Sequence, residues 1–250
     1  MVASGYKEKE GESVTAFYNL INTKSAQLKQ SVIPWSRGGN GQIISRRYNN
    51  ERILNYAAAL QLIAKKTTIP VQRLLSFGEN PDGTAWVETE RIHGGIPLPV
   101  VRDQCRMPAG KTHVDTGECD ECGRIARANA SRFFTNEVLP QLNSLTSDTT
   151  GFNGVVIPPL WIMYHDKDAC WRPKKSESGE QEYVFCHGNL HEHSILMHAG
   201  TLHVLQIVDW EDAGYFPSEF QVWSTTRPDY DAFYEDGMEE QRKTLTELMM

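Results

Sequence analysis

The sequence has 250 residues, of which 40% are hydrophobic and 23% are charged, and its formal net charge is -7. That length is enough to bury one large core or two lobes, whereas the acidic balance argues against a nucleic-acid partner, which would need a basic face. No apolar run approaches the ~20 residues of a membrane span. The first residues lack the apolar stretch of a secretory signal, so we expect no membrane partner and a cytoplasmic location.

The first 93 residues predict a small lobe built mainly of strands. Apolar residues at helical spacing predict one helix from Val14 to Leu28. The run Gly38 to Gly41 separates two short apolar stretches, which predicts a strand, a glycine turn and a second strand. The elements expected in this lobe also include strands over residues 31–35, 42–45, 73–77 and 85–90 and a helix over residues 50–65.

Beyond a hinge at His93 to Pro97, the sequence predicts a larger lobe that contains more helix. Its expected elements are a helix over residues 125–145, a polar loop over residues 174–181 and a helix over residues 235–250. Strands first and helices after are typical of the α+β class. We therefore expect an N-lobe over residues 1–93 and a C-lobe over residues 94–250, with a Cys-containing insertion at about residues 100–124.

Two motifs follow each other in the second half of the chain: His187-Gly188-Asn189-Leu190-His191-Glu192-His193-Ser194 and Ile207-Val208-Asp209-Trp210-Glu211. They resemble the catalytic loop and the metal-binding strand of the aminoglycoside phosphotransferase branch of the protein-kinase-like fold, particularly its fungal subfamily. Residues 67–71, 88–94 and 211–217 resemble further segments of that family in the same order. The resemblance implies a two-lobed α+β fold with a small β-rich N-lobe and a larger helical C-lobe.

The catalytic loop departs from the family at two positions. Asn189 stands where the resemblance implies the aspartate that positions the nucleophile, and Ser194 stands where it implies a metal-binding asparagine. An amide cannot take up a proton at neutral pH, although it can orient a hydroxyl group by hydrogen bonding. Asp209 matches the second metal-binding aspartate and is intact. His191 and Glu192 are candidate acid or base groups of a remodelled site, with exposed loop residues as the alternative.

The N-lobe also departs from the expected pattern. The strand from Gln42 to Arg47 is expected to carry the phosphate-binding lysine and contains none, so that Arg46 or Arg47 would have to replace it. The glutamate partner of that lysine is expected near Asn55 or Tyr56. These departures predict that the chain does not phosphorylate efficiently and that ATP and Mg²⁺ are not its cofactors.

A second constellation, C-x7-H-x5-C-x2-C, consists of Cys105, His113, Cys119 and Cys122. Zinc favours four tetrahedral ligands of these types, and a C-x2-C pair supplies two of them from one turn. A structural zinc ion would order the surrounding irregular loop. A flexible loop with free thiols, or a disulfide, is the alternative.

Three functions stay open from the sequence. In the first, the cleft between the lobes binds and converts an apolar small molecule in a fungal secondary-metabolite pathway, through a cyclisation, an isomerisation or a pericyclic (Diels–Alder-type) step around Asn189, Ser194 and Asp209. In the second, the chain is an ATP- and Mg²⁺-dependent small-molecule phosphotransferase with an altered loop. In the third, it is a non-catalytic pseudokinase that acts as a binding module. The sequence does not predict an oligomeric state.

Overall fold

A computed structural model describes residues 11–14, 17–32, 36–37, 43–44, 47–165, 170–180, 182–221 and 239–249. The strands in chain order are β1 (Gly11–Val14), β2 (Tyr18–Asn22), β3 (Ala26–Ser31), β4 (Ser36–Arg37), β5 (Ile43–Ile44), β6 (Leu74–Glu79), β7 (Ala85–Glu90), β8 (Gly95–Pro97), β9 (Thr146–Ser147), β10 (Tyr183–Cys186), β11 (Ile195–His198), β12 (Val204–Ile207) and β13 (Gly214–Phe216). The helices are α1 (Asn49–Lys66), α2 (Asp120–Phe133), α3 (Leu139–Ser144), α4 (Leu160–His165) and α5 (Glu239–Glu247).

The N-lobe is an antiparallel sheet of order β1-β2-β3-β7-β6, with α1 packed on it. The predicted helix from Val14 to Leu28 is wrong, because this stretch contains the hairpin of β2 and β3. The Thr23 hydroxyl accepts a hydrogen bond from the Ala26 backbone at 3.0 Å and so stabilises the turn between the two strands. Ile21 then lies opposite Leu28, and this cross-strand pairing outweighs the helical spacing of the apolar residues.

Most of the other elements predicted for the N-lobe are present. Of the strand predicted over residues 31–35, residues 33–35 lie outside the described residues, and β4 begins only at Ser36. Helix α1 buries Ile53, Ala57, Leu60 and Ile63, as the spacing predicted. Strands β6 and β7 match the predicted pair, and β4 and β5 form a short hairpin. The predicted glycine turn at residues 38–41 lies outside the described residues.

The C-lobe starts with β8, which pairs with β11, and β11 in turn pairs with β12. The long predicted helix begins five residues earlier than expected, at Asp120, and a π-helical turn over Phe134–Val138 joins α2 to α3. No helix in the described part of the chain is long and apolar enough to cross a membrane. The lobe boundary at residue 93 remains a proposal.

One hydrophobic core runs through both lobes and holds them against each other. It contains Ile53 and Leu60 of α1 together with Phe134 of the π-helical turn and Trp210 beside the metal-binding motif. Each of these side chains is at most 2% exposed. Because α1 also packs directly on the 3-10 turn over Trp210–Asp212, the N-lobe helix and the C-lobe motif are held at a defined separation.

Candidate active site and metal centre

His187 and Gly188 fasten the catalytic loop to the strand end that follows it. The buried His187 ring bonds to the Val208 carbonyl through Nε2 at 2.9 Å, and it lies against Trp210 with ring centroids 4.4 Å apart. Burial lowers the pKa of His187 to about 4, so the ring is neutral and donates that hydrogen bond. Gly188 has φ 79°, and a Cβ atom there would collide with the backbone of Asp212.

Asn189 and Ser194 are both buried inside the loop. The Ser194 hydroxyl donates a hydrogen bond to the Asn189 carbonyl at 2.9 Å, and the Ser194 backbone bonds to His191 and to Val208, each at 2.9 Å. With no exposed surface, Ser194 holds the loop closed. Ser194, which stands where the resemblance implies a metal-binding asparagine, thus has its hydroxyl directed at the loop backbone.

His191 and Glu192 occupy the turn at the end of the loop, where Glu192–Ser194 forms a 3-10 turn. The His191 ring accepts a hydrogen bond from the His193 backbone at 3.0 Å, and burial lowers the pKa of His191 to about 3. Glu192 binds Arg127 of α2 through both carboxylate oxygens, at 2.7 and 3.3 Å. This ion pair draws Glu192 toward α2 and away from acid–base work in the cleft.

Asp209 lies two residues after the end of β12, in the left-handed conformation with φ 64°. Aspartate is one of the few residues besides glycine that adopt this region at modest cost. Its side chain stays open to solvent, yet the protein around it is close enough for desolvation to raise its pKa, while Lys29 opposes that rise. In the described part of the chain, no ion pair or hydrogen bond engages the Asp209 carboxylate.

Lys29 of β3 reaches across from the N-lobe and binds Glu211 at 2.5 Å. Burial acts to lower the pKa of Lys29, but the carboxylates of Glu211 and Asp209 outweigh it, so the pKa lies above its ordinary value and the ammonium stays charged. The Tyr18 and Tyr56 rings flank this ammonium, with centroids 4.4 and 5.8 Å from Nζ.

Residues 35–247 match the protein family described as the phosphotransferase enzyme family. The chain belongs to this family. No curated protein matches it. Among solved structures it is similar to the GDP complex of a mutant of aminoglycoside 2'-phosphotransferase-IIIa, with 11% identity, a TM-score of 0.50 and coverage of 95% of this chain and 78% of that chain. It is also similar to aminoglycoside-3'-phosphotransferase of type VIII, with 14% identity, a TM-score of 0.48 and coverage of 96% and 84%.

The structure places a lysine on the third strand of the N-lobe. Kinase-like folds carry their phosphate-binding lysine on this strand and pair it with a glutamate of the following helix. Here the third strand is β3, and it carries Lys29. The lysine was expected on the strand from Gln42 to Arg47, because the hairpin that contains β3 was predicted as a helix; Arg46 lies outside the described residues.

The glutamate that binds Lys29 belongs to the C-lobe and not to α1. Asn55 of α1 donates hydrogen bonds to the carbonyls of Glu211 and Ala213, at 3.1 and 2.7 Å. One turn earlier, the buried Arg52 forms an ion pair with Asp212. Helix α1 therefore presents the Asn55 amide and the Arg52 guanidinium to the Trp210–Asp212 turn, and Glu211 supplies the acid that binds Lys29.

The four side chains predicted as metal ligands lie together beside the N-terminus of α2. Their ligand atoms all lie within 4.8 Å of one another. The Cys105 and Cys122 sulfurs are 3.9 Å apart, and His113 Nδ1 is 3.5 Å from the sulfurs of both Cys119 and Cys122. With Zn–S near 2.3 Å and Zn–N near 2.0–2.1 Å, the ligands of a regular tetrahedron lie about 3.5–3.8 Å apart. This Cys/His cluster could hold a metal ion.

Backbone groups around the Cys/His cluster already face its sulfurs. The His113 backbone N–H donates to Cys105 at 3.2 Å, and the Arg106 backbone N–H donates to Cys122 at 3.3 Å. Backbone hydrogen bonds lower the pKa of Cys105 to about 6, which favours the thiolate that a metal needs, whereas burial raises the pKa of Cys122 to about 11. The loop thus has donors in place for sulfur ligands that carry negative charge.

Proposed function

We propose that this phosphotransferase-family chain does not phosphorylate and that its cleft binds and converts a small apolar molecule. One observation carries the proposal. Of the four acidic residues in or directly after the two motifs, Glu192 is bound to Arg127, Glu211 to Lys29 and Asp212 to Arg52. With Asn189 in the aspartate position, the catalytic loop offers no available carboxylate to position an acceptor hydroxyl.

Asp209 is the remaining acid, and desolvation raises its pKa above the ordinary value, which favours a role as a general acid or base. Asn189 would orient the substrate by hydrogen bonding, and the Lys29 ammonium would stabilise negative charge that develops on it. These roles fit an isomerisation or a cyclisation; a pericyclic reaction would need mainly the shape of the cleft. The Tyr18 and Tyr56 rings beside Lys29 support a substrate with apolar surface rather than a triphosphate.

A slow Mg²⁺- and ATP-dependent phosphotransferase is the second candidate, and Lys29 favours it. The lysine stands on the strand where kinase-like folds hold it and is electrostatically coupled to Asp209, the residue that would hold a metal ion. In both candidates the reaction takes place in the cleft. In both, we expect the protein to be cytoplasmic. A non-catalytic pseudokinase that acts as a binding module is the third candidate, and it predicts no turnover of nucleotide or small molecule.

Calorimetric titration with Mg-ATP separates these candidates. We expect no binding to the wild-type chain, and micromolar binding that Asp209→Ala abolishes would overturn the main proposal in favour of the phosphotransferase. A thermal-shift screen of uncharged apolar metabolites should find ligands whose conversion, followed by mass spectrometry, is lost in Asp209→Asn. Ligands that bind without conversion would instead support the binding module.

Asn189→Asp tests the missing carboxylate directly. If Lys29 and Asp209 still form a competent phosphate site, the new carboxylate should raise ATP turnover by about 10²- to 10⁴-fold, the usual contribution of a general base. We expect no such gain, because the chain does not bind Mg-ATP. Asn153→Asp, the same change at an exposed turn, is the matched control.

We further propose that Cys105, His113, Cys119 and Cys122 bind one structural zinc ion. The observation that supports this is the match between their separations and a tetrahedron of zinc ligands. Four protein ligands leave no open position for substrate, so the ion would order the insertion at residues 100–124. Metal analysis of the purified chain should find about one zinc per chain, and none in Cys122→Ser.

A further inference from the structure

The Cys/His cluster and the catalytic loop are joined by one helix, α2. Cys119 precedes α2, and Cys122 lies in its first turn. The Cys119 backbone N–H also donates to the Arg102 carbonyl at 2.7 Å, which ties the start of α2 to the preceding loop. A metal ion held by both cysteines would therefore fix the position and direction of this end of the helix.

Cys119, Gly123 and Arg127 recur at intervals of four residues, so they lie along one face of the helix. Because Gly123 has no side chain, Arg102 and Arg127 can both lie close to it. A Cβ atom built on it would lie 3.1 Å from the Arg102 Cβ and 3.5 Å from Nη1 of Arg127. Glycine is unfavourable inside a helix relative to alanine. Here it allows the Arg127 guanidinium to lie close against the helix.

From this position Arg127 binds Glu192 with two hydrogen bonds, across 65 positions of sequence. The side chains of Arg127 and Glu192 are 39% and 26% exposed, so solvent screens this pair less than a fully exposed one. Glu192 begins the 3-10 turn that ends in Ser194, whose hydroxyl holds the Asn189 carbonyl. A continuous set of contacts thus runs from the cysteines to Asn189.

We propose that metal binding at the Cys/His cluster orders the catalytic loop, and that Arg127 is the positioning residue that transmits this order to Glu192. The inference rests on the zinc proposal and assigns the ion a second role beyond the insertion. An ion held at the start of α2 sets the position of the helix, and the helix sets the position of the Arg127 guanidinium. Through Glu192, that guanidinium holds the turn that positions Asn189.

Hydrogen exchange measures this coupling without reference to activity. The backbone amides of Asn189, His193 and Ser194 each donate a hydrogen bond inside the loop, so their exchange reports local opening. In the wild-type chain loaded with Zn²⁺, removal of the ion by a chelator should speed their exchange by about tenfold. Amides of β7 in the N-lobe should still exchange more slowly than the loop amides after chelation, which would show that the loop opens locally and not through global unfolding.

Variants on α2 decide whether Arg127 transmits the effect. In Arg127→Gln the loop amides should already exchange faster, and chelation should add less than about a twofold change. Arg124→Gln is the matched control, because Arg124 lies on the same helix and pairs with Glu121 within the helix; it should behave as wild type. Glu192→Gln removes the same pair from the other side and serves if Arg127→Gln does not fold.

Equal acceleration by chelation in Arg127→Gln and wild type would overturn the inference, as would no acceleration in wild type. Metal analysis of every sample separates the possible causes. A chain that neither contains nor takes up Zn²⁺ refutes both the zinc proposal and this inference. The Mg-ATP titration bears on the cleft alone, so a phosphotransferase result there would leave the coupling standing.

Discussion

The Cys/His cluster and the catalytic loop are preserved in opposite ways. The cluster has all four of its ligand types, with atoms within 4.8 Å of one another, at the end of an irregular loop that has no helix or strand between residues 104 and 119. In the catalytic loop, His187, Gly188 and Ser194 hold the backbone, and Asn189 stands where the sequence resemblance implies the positioning aspartate. The Cys/His cluster thus has a full set of ligand side chains on an irregular backbone. The catalytic loop has a firmly held backbone and a changed residue at the aspartate position. Stability should therefore depend on ligands at the first site and on packing at the second.

The largest effect should come from breaking the cluster. Cys122→Ser removes one ligand from a closed tetrahedral site, and the free energy of metal binding contributes directly to folding. We expect a loss of more than about 4 kcal/mol, or about 10 °C in Tm for a chain of this size, in calorimetric unfolding. Cys170→Ser, an exposed cysteine outside the cluster, should change stability by less than about 0.5 kcal/mol. Equal stability of the two variants would show that the cluster holds no structural metal.

Breaking the buried pair beside the catalytic motif should cost about 3–5 kcal/mol. Arg52→Met leaves the Asp212 carboxylate uncompensated at a position where both side chains are 1% exposed. Urea unfolding should show this loss, and Asp212→Asn in the same chain should restore part of it. As control, Arg73→Met breaks an exposed pair with Glu90, for which we expect a much smaller loss because solvent screens the pair. Equal losses for the two arginines would mean that the N-lobe helix does not depend on this pair.

The sequence predicted the two sites to different extents, and the reason is the range of the contacts. The Cys/His cluster follows from spacing within 18 residues, and the catalytic loop from a local motif. Lys29 was missed because its partner Glu211 is 182 positions away and because the hairpin around it was taken for a helix. The Arg127–Glu192 pair, 65 positions apart, has no local signal either. Most of the fold was predictable for the same reason, since α1, β6 and β7 follow local periodicity, whereas β2 and β3 depend on their pairing with each other.

The pH dependence of folding should reveal the frame of the catalytic loop. His187 has its pKa lowered from 6.5 to about 4 by burial, so the unfolded chain binds more protons between these values. Its contribution is complete above pH 6.5 and is lost as the pH falls to about 4, by on the order of 3 kcal/mol. His191, whose pKa is lowered to about 3, adds to the loss in the same direction.

His187→Gln should therefore flatten part of this dependence while lowering stability at pH 7, because the amide does not titrate in this range. Denaturant unfolding at several pH values checks the slope. His198→Gln, an exposed histidine on β11, is the control and should leave the slope between pH 6.5 and 4 unchanged. A wild-type slope retained in full by His187→Gln would place the titrating group elsewhere.

The smallest effect distinguishes a structural serine from a catalytic one. Ser194→Ala removes the hydrogen bond to the Asn189 carbonyl inside the loop, and a lost bond of this kind costs about 0.5–1.5 kcal/mol. The expected shift is about 1–6 °C in Tm, with ligand affinity reduced only as far as the loop loosens. Ser144→Ala, whose hydroxyl donates to the Gln141 carbonyl at an exposed helix end, should cost less. If Ser194→Ala abolished turnover of a cleft ligand at unchanged stability and affinity, the hydroxyl would take part in the chemistry. The catalytic loop would then retain a catalytic side chain as well as its backbone contacts. Asn189 alone would then distinguish its set of side chains from the full set of the Cys/His cluster.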